Sequence, residues 1–172
     1  MSGKRVRGLD ARGDGLIDGE ARAIAGALPG ETIEWDASGR LTTVLVPSPE
    51  RVTPFCRHFG HCGGCRLQHW APAASRLWKR QRLVEALDRA GLAPGVDATV
   101  DATGNGRRRV ILHLRFDRGR ILAGFMAARS HDLVDLDRCP VLVPPLVAAM
   151  DVARGLARLL ARRGKPLDVQ LT

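Results

Sequence analysis

Apolar and polar positions alternate in four short runs at the start of the chain. The alternation predicts β-strands at Lys4–Leu9, Gly15–Asp18, Glu31–Trp35 and Leu41–Val46. Gly13-Asp14-Gly15, Pro29-Gly30 and Ser38-Gly39 punctuate them, and the β-branched run Leu41-Thr42-Thr43-Val44-Leu45-Val46 is the clearest strand. Four short strands with tight turns predict a small β-barrel over residues 1–49. The period lengthens after Pro72. Leu77, Val84 and Leu87 share one face of a helix running to Ala90 and stopped by Gly91, with Arg76, Lys79, Arg80 and Arg82 spread over the remainder. Pro94-Gly95 opens an antiparallel section, with a strand at Val110–Phe116, a turn at Asp117–Arg120 and a returning strand at Ile121–Met126. Ser130 to Leu136 leads back toward Cys139. A second helix is expected over Pro144–Arg163, with Leu146, Met150, Ala153, Leu156 and Leu160 along one face, then Gly164 as its end and a strand at Leu167–Leu171. The expected class is α+β, without internal repeats or low-complexity linkers.

The cysteines change this picture. Cys56, Cys62 and Cys65 fall within ten residues, and Cys139 is the fourth and last in the chain. A CxxC places two thiolates on one tight turn. The Gly63-Gly64 pair inside it eases the backbone, so that amides can point at sulfur. Cys139 precedes Pro140, the ending many iron–sulfur ligands show. Disulfides need an oxidising compartment, and the charged start of the chain, Met1 to Asp10, holds no apolar run of a signal peptide. Inert buried thiols would not cluster in a Gly-rich basic loop. Zinc stays open beside an iron–sulfur cluster, because four cysteines also make a tetrahedral site and His58, His61 and His69 lie close by in sequence. One CxxC with two lone cysteines, rather than two paired knuckles, tips the choice toward iron–sulfur. A calcium loop over Asp10, Asp14, Gly15, Ile17 and Asp18 is disfavoured, since Arg12 and Ala21 stand where ligands are needed.

Charge points to the partner. The 172 residues carry a net charge of +9, and only Lys4, Lys79 and Lys165 among the 27 basic residues are lysines. Arginine forks phosphate and stacks on bases, so a nucleic acid is the expected partner, although a GC-rich genome would also enrich arginine. Tyrosine is absent, leaving Phe, Trp, His and Arg for any stacking. The longest apolar runs, such as Val141 to Met150, contain prolines and fall short of a membrane span. No membrane association and a cytosolic location are expected.

Ser48-Pro49-Glu50-Arg51-Val52-Thr53-Pro54, followed by the cysteine stretch ending in Leu67-Gln68-His69, resembles the RNA uracil-5 methyltransferases. Leu28-Pro29-Gly30-Glu31 is similar to a turn of their TRAM domain, an OB-like RNA-binding barrel. Gly106-Arg107-Arg108-Arg109 resembles their arginine motif, and Gly124-Phe125 through Ser130-His131-Asp132 with Asp137-Arg138-Cys139-Pro140 resembles their closing hairpin. The resemblance implies a TRAM domain at 1–49 and an iron–sulfur loop with a central α+β domain at 50–172. It implies Cys56, Cys62, Cys65 and Cys139 as ligands of a 4Fe–4S cluster. It also implies RNA, ribosomal or transfer, as partner of a monomer, with Arg107 and Arg109 holding RNA; Arg76, Lys79 and Arg80 form a further expected RNA-facing surface. Gly106 stands where the family usually has an aromatic residue and Pro72 where it often has a tyrosine, which puts aromatic contacts with RNA in question. Strand alternation from Arg107 would place Arg107 and Arg109 on one face with His113 and Arg115, and neither arginine lies beside a cluster ligand in sequence.

In that family a cysteine thiolate adds to C6 of a flipped-out uracil and C5 takes a methyl group from S-adenosylmethionine. The chain has no spare cysteine for this and no strand–GxGxxG–helix segment. It is therefore expected to be the front part of such an enzyme, with the S-adenosylmethionine site in the absent half and no catalytic residue or activity of its own. The alternative is a free-standing RNA-binding iron–sulfur or zinc module. A radical enzyme is disfavoured because no CxxxCxxC triplet is present.

Overall fold

The structure, a computed structural model, describes residues 3–92, 95–97, 99–100, 106–160 and 165–172. The chain divides into two compact units, one of residues 1–54 and 66–99, the other of residues 55–65 and 100–172. The cysteine loop thus leaves the first unit, contributes to the second, and returns.

In the first unit β1 (Lys4–Leu9), β2 (Gly15–Ile17), β3 (Thr32–Trp35) and β4 (Leu41–Val46) form one antiparallel sheet in the order β2-β1-β3-β4. The four expected strands are present, but the expected barrel does not close among the described residues. The free side of β2 is taken by Ile24, which exchanges both backbone hydrogen bonds with Gly15, at 2.8 and 2.9 Å. A three-residue strand so occupied offers no edge to β4. Val6, Ile17, Ile24, Ala27 and Ile33 form the core, with Trp35, Leu41 and Val44 packed against it. The calcium-like string is a turn: Asp10 Oδ1 accepts from the Arg12 and Asp14 N–H groups at 2.8 and 2.9 Å.

Helix α1 (Pro72–Arg89) belongs to this unit. Pro72 suits its first position, where no N–H is needed, and Gly91 at φ +71° follows its end. The expected apolar face is displaced: Leu77 is 70% exposed. Trp78, one position along, lies 6.1 Å from Trp70 between ring centroids and packs over Gly13, so the inward side passes through Ser75 and Trp78. Trp70 is itself fixed by its indole N–H, which donates to Glu50 at 2.9 Å.

A polar knot joins the two motif strings of this unit. Fully buried Glu31 accepts from Arg51 Nε and Nη2 at 2.5 and 2.8 Å, and from the N–H groups of Leu28 and Ser48 at 2.8 and 3.2 Å. His69, also buried, lies beside it. Burial and the Arg51 charge lower the His69 pKa from 6.5 to about 4, against the pull of Glu31. Between these values the unfolded chain binds a proton that the folded chain refuses. The stability of this unit should therefore fall as pH drops from 6.5 to 4, by at most about 1.4 kcal/mol per pH unit from this residue. Urea unfolding followed by tryptophan fluorescence checks it, because Trp35, Trp70 and Trp78 all lie in this unit. A His69→Leu chain should lose that part of the slope.

The second unit is a four-stranded antiparallel sheet of β5 (Val110–Asp117), β6 (Arg120–Met126), β7 (Leu133–Asp135) and β8 (Leu167–Leu171), in the order β7-β6-β5-β8. The expected hairpin turn holds: Arg118 and Gly119 both have positive φ, which matches the twist of a tight hairpin. Helix α2 (Ala149–Leu160) packs its Ala149, Met150, Ala153 and Ala157 face on the sheet, over Val110, Leu112, Leu114, Ala123 and Val169. It starts later than expected. Pro144–Leu146 forms a single 3-10 turn instead, since Pro144-Pro145 lack the N–H groups of a regular helix. Leu160, expected on the packed face, is 62% exposed. The expected helix end at Arg163 and Gly164, like Pro94, Gly104 and Asn105, lies outside the described residues. Arg154 is anchored to Asp135 and to the Leu136 carbonyl, both at 2.7 Å.

Candidate metal centre

The cysteine loop is built by backbone pairing, since it contains few residues suited to a core. The Phe59 N–H donates to the Cys56 carbonyl at 3.0 Å and the Cys62 N–H to the His58 carbonyl at 2.8 Å, winding the loop tightly. Cys62 then bridges Ala127 just past β6, where the Gly63 N–H donates to Met126 and the Ala128 N–H to His61, each at 2.9 Å. A Cβ on Gly63 would stand 2.8 Å from the Met126 carbonyl oxygen, so only glycine lets the loop lie this close to the strand. On the other side Arg57 and His58 reach Asp137 at 2.7 and 3.3 Å, tying the residues after Cys56 to the approach to Cys139. Asp137 is pulled below the ordinary aspartate range. Residual desolvation opposes the shift; the His58 bond, backbone N–H groups and the Arg57 charge outweigh it.

All four cysteines are free, half-buried and in this second unit. Cys62 and Cys139 each feel the charge of Cys65 and Cys56. The thiols of Cys62 and Cys139 are raised, chiefly by burial, with the neighbouring sulfurs adding to the shift. Amides oppose it: the Gly64 N–H points at Cys62 Sγ, 3.4 Å away, and the Val141 N–H at Cys139. Arg107 also favours the thiolate at both. Half-buried sulfurs, amides aimed at them and an adjacent cation are what an anionic metal–thiolate group needs. Among the described residues, no three His, Cys, Asp or Glu side chains converge on one point as a single-ion site. Of the histidines considered as zinc ligands, His58 is paired with Asp137 and His69 is enclosed in the first unit.

The arginines divide. Arg107, Arg108 and Arg109 are exposed. The strand does not start at Arg107, so the expected alternation with His113 and Arg115 fails: Arg107 forms a parallel bridge with Leu142, and β5 begins only at Val110. Arg107 also does not stand apart from the cysteines, since its Nη2 donates to the Gly64 carbonyl at 3.3 Å. On α1, Lys79 is exposed and Arg76 half-exposed, whereas the Arg80 guanidinium donates to the Val96 carbonyl. The pairing of Arg57 with Asp137 was not foreseen; an acid two residues before a cysteine gives no sign of its partner until the fold brings an arginine to it.

No protein-family model matches the chain. Individual relatives do. An uncharacterized RNA methyltransferase of Caulobacter vibrioides is 41% identical over 166 residues, which is 91% of this chain and 40% of the relative. The 23S rRNA (uracil(1939)-C(5))-methyltransferase RlmD of Halomonas elongata is 41% identical over 82% of this chain and 32% of its own length. RlmD of Cronobacter sakazakii is 42% identical over 86% of this chain and 36% of its own length. The chain belongs to this RNA methyltransferase family. It spans between about a third and two fifths of the length of these RNA methyltransferases. No helix among the described residues is long and apolar enough to cross a membrane.

Proposed function

We propose that this chain is the RNA-binding, iron–sulfur-carrying part of a uracil-5 RNA methyltransferase acting on ribosomal RNA. The carrying observation is the gathering of its four cysteines in one unit, in a chain 41% identical to a uracil-C5 methyltransferase. Cys56, Cys62, Cys65 and Cys139 would hold a 4Fe–4S cluster, which ties the CxxC loop to the end of the hairpin sheet. With these four engaged, no cysteine is left to add to C6 of uracil. The chain alone transfers no methyl group, and the S-adenosylmethionine site belongs to the rest of the enzyme. Residues 1–49 serve as a TRAM-like RNA-binding module and 50–172 as the iron–sulfur and central part of a monomeric cytoplasmic protein. Arg109, Arg76 and Lys79 supply phosphate contacts.

Anaerobic purification tests the centre: about four irons and matching acid-labile sulfide per chain are expected, and one zinc without sulfide overturns it. Binding to 23S ribosomal RNA should weaken steeply with salt. Arg109→Ala should flatten the logarithmic salt slope by about one unit, one lost phosphate contact, with the cluster spectrum intact. An unchanged slope removes Arg109 from the RNA surface.

A further inference from the structure

Arg107 occupies a crossing of two segments that carry cysteines. Its backbone N–H donates to the Val141 carbonyl at 2.6 Å, and its own carbonyl accepts from the Val143 N–H at 3.1 Å. This short parallel pairing grips the residues directly after Cys139 and Pro140. The approach is close: Gly106 has φ +77°, and a Cβ there would lie 3.0 Å from backbone atoms of both Leu142 and Val143. The aromatic residue usual at this position in the family would not fit here without a shift. From the same residue the guanidinium reaches the Gly64 carbonyl at 3.3 Å, between the two cysteines of the CxxC. One residue therefore fastens both halves of the ligand set, by main chain on one side and side chain on the other.

We propose that Arg107 is a positioning residue of the metal centre, holding the CxxC turn against the segment after Cys139 and placing a fixed positive charge beside the thiolates. The inference rests on the reading of the cysteines as a metal centre and replaces the assignment of Arg107 as a phosphate contact. Four thiolates leave a 4Fe–4S cluster net negative, so a nearby cation favours its retention and its reduced state. The guanidinium stays with the protein, whether or not RNA is bound.

The test uses the anaerobically purified 172-residue chain with Arg107→Met, Arg107→Lys and, as the exposed neighbouring control, Arg108→Met. Arg107→Met should release iron to a chelator about tenfold faster or more, as outer-shell losses at metal sites typically do, and its midpoint potential should move to a more negative value. Arg107→Lys should restore the potential and part of the retention, and Arg108→Met should match the unmutated chain. Equal iron release and equal potential in folded Arg107→Met overturn the proposal, and weakened RNA binding in that protein would return Arg107 to phosphate contact. If Arg107→Met does not fold, Arg107→Gln keeps a donor for the Gly64 carbonyl and drops the charge; an unchanged potential there overturns the proposal, and a more negative one upholds it. A chain that holds zinc refutes the iron–sulfur reading itself. Arg107 is then judged by zinc retention, faster loss upholding the positioning role and equal loss ending it.

Discussion

Cys139→Ser should leave the anaerobically purified chain almost colourless and loosen the hairpin sheet of the second unit. The other three cysteines of the proposed ligand set sit on one short loop, bridged from Cys62 to Ala127. Cys139 would add a metal-mediated tie from the segment after β7 to that loop, next to the Arg57–Asp137 pair. A serine hydroxyl is a poor iron ligand. Metal binding and folding are one equilibrium in such a site, so the loss is felt as stability. In a unit of this size each kcal/mol lost lowers Tm by about 4–8 °C, and a drop of at least one such step is expected. Amide exchange should speed up first at Gly63 and Ala128, whose N–H groups hold the loop to the β6 end. Unchanged visible absorption and unchanged Tm would remove Cys139 from the ligand set.

Glu31→Gln should be the most damaging single change in the first unit. The carboxylate is fully buried and receives Arg51 through two nitrogens, together with the Leu28 and Ser48 N–H groups. Its amide would turn a donor toward donors and leave Arg51 without its counter-charge. Breaking a buried pair of this kind costs about 3 kcal/mol or more. Unfolding followed by tryptophan fluorescence reads it directly; a loss below about 1 kcal/mol would show that Arg51 finds water or another partner. Glu31 also has a pH signature distinct from that of His69. Burial works to raise its pKa, but the Arg51 bonds, the two N–H groups and the Arg51 charge outweigh it and hold it below 4.5. The carboxylate therefore stabilises the fold above that value, and its contribution is lost as pH falls through the lowered pKa. Acid unfolding should thus come in two stages, the His69 slope from 6.5 to 4 and then the loss of the Glu31 knot.

Local signals wrote most of the elements legibly. The strands of both sheets other than β7, the Arg118-Gly119 turn and the start of α1 at Pro72 follow from alternation, positive φ and proline chemistry, all of which act within a few residues. Closure of the first sheet is different. It depends on which edge Ile24 takes, a pairing between residues whose pattern says nothing of each other. The helix faces missed by small rotations: Leu77 gave way to Trp78 because Trp70 and Gly13 offer the larger surface, and the prolines at 144 and 145 moved the start of α2. The cysteines were legible because spacing is their chemistry. The pairs that brace them, Asp137 with Arg57 and Arg107 with Gly64, join motif residues far apart in sequence, and no local pattern announces the pairing.

The cysteine loop of residues 55–65 is flanked on both sides by chain that belongs to the first unit, yet it folds with residues 100–172. During synthesis the loop emerges long before Cys139 and before β8, which completes the sheet at Leu167–Leu171. At about 5–20 residues per second, three thiols wait for several seconds before Cys139 emerges, able to take up zinc or be oxidised. If these cysteines hold the proposed cluster, the order of the chain lets it close only after Cys139 has emerged. Cells short of iron should therefore accumulate this protein with its first unit folded and its second unit open to proteases.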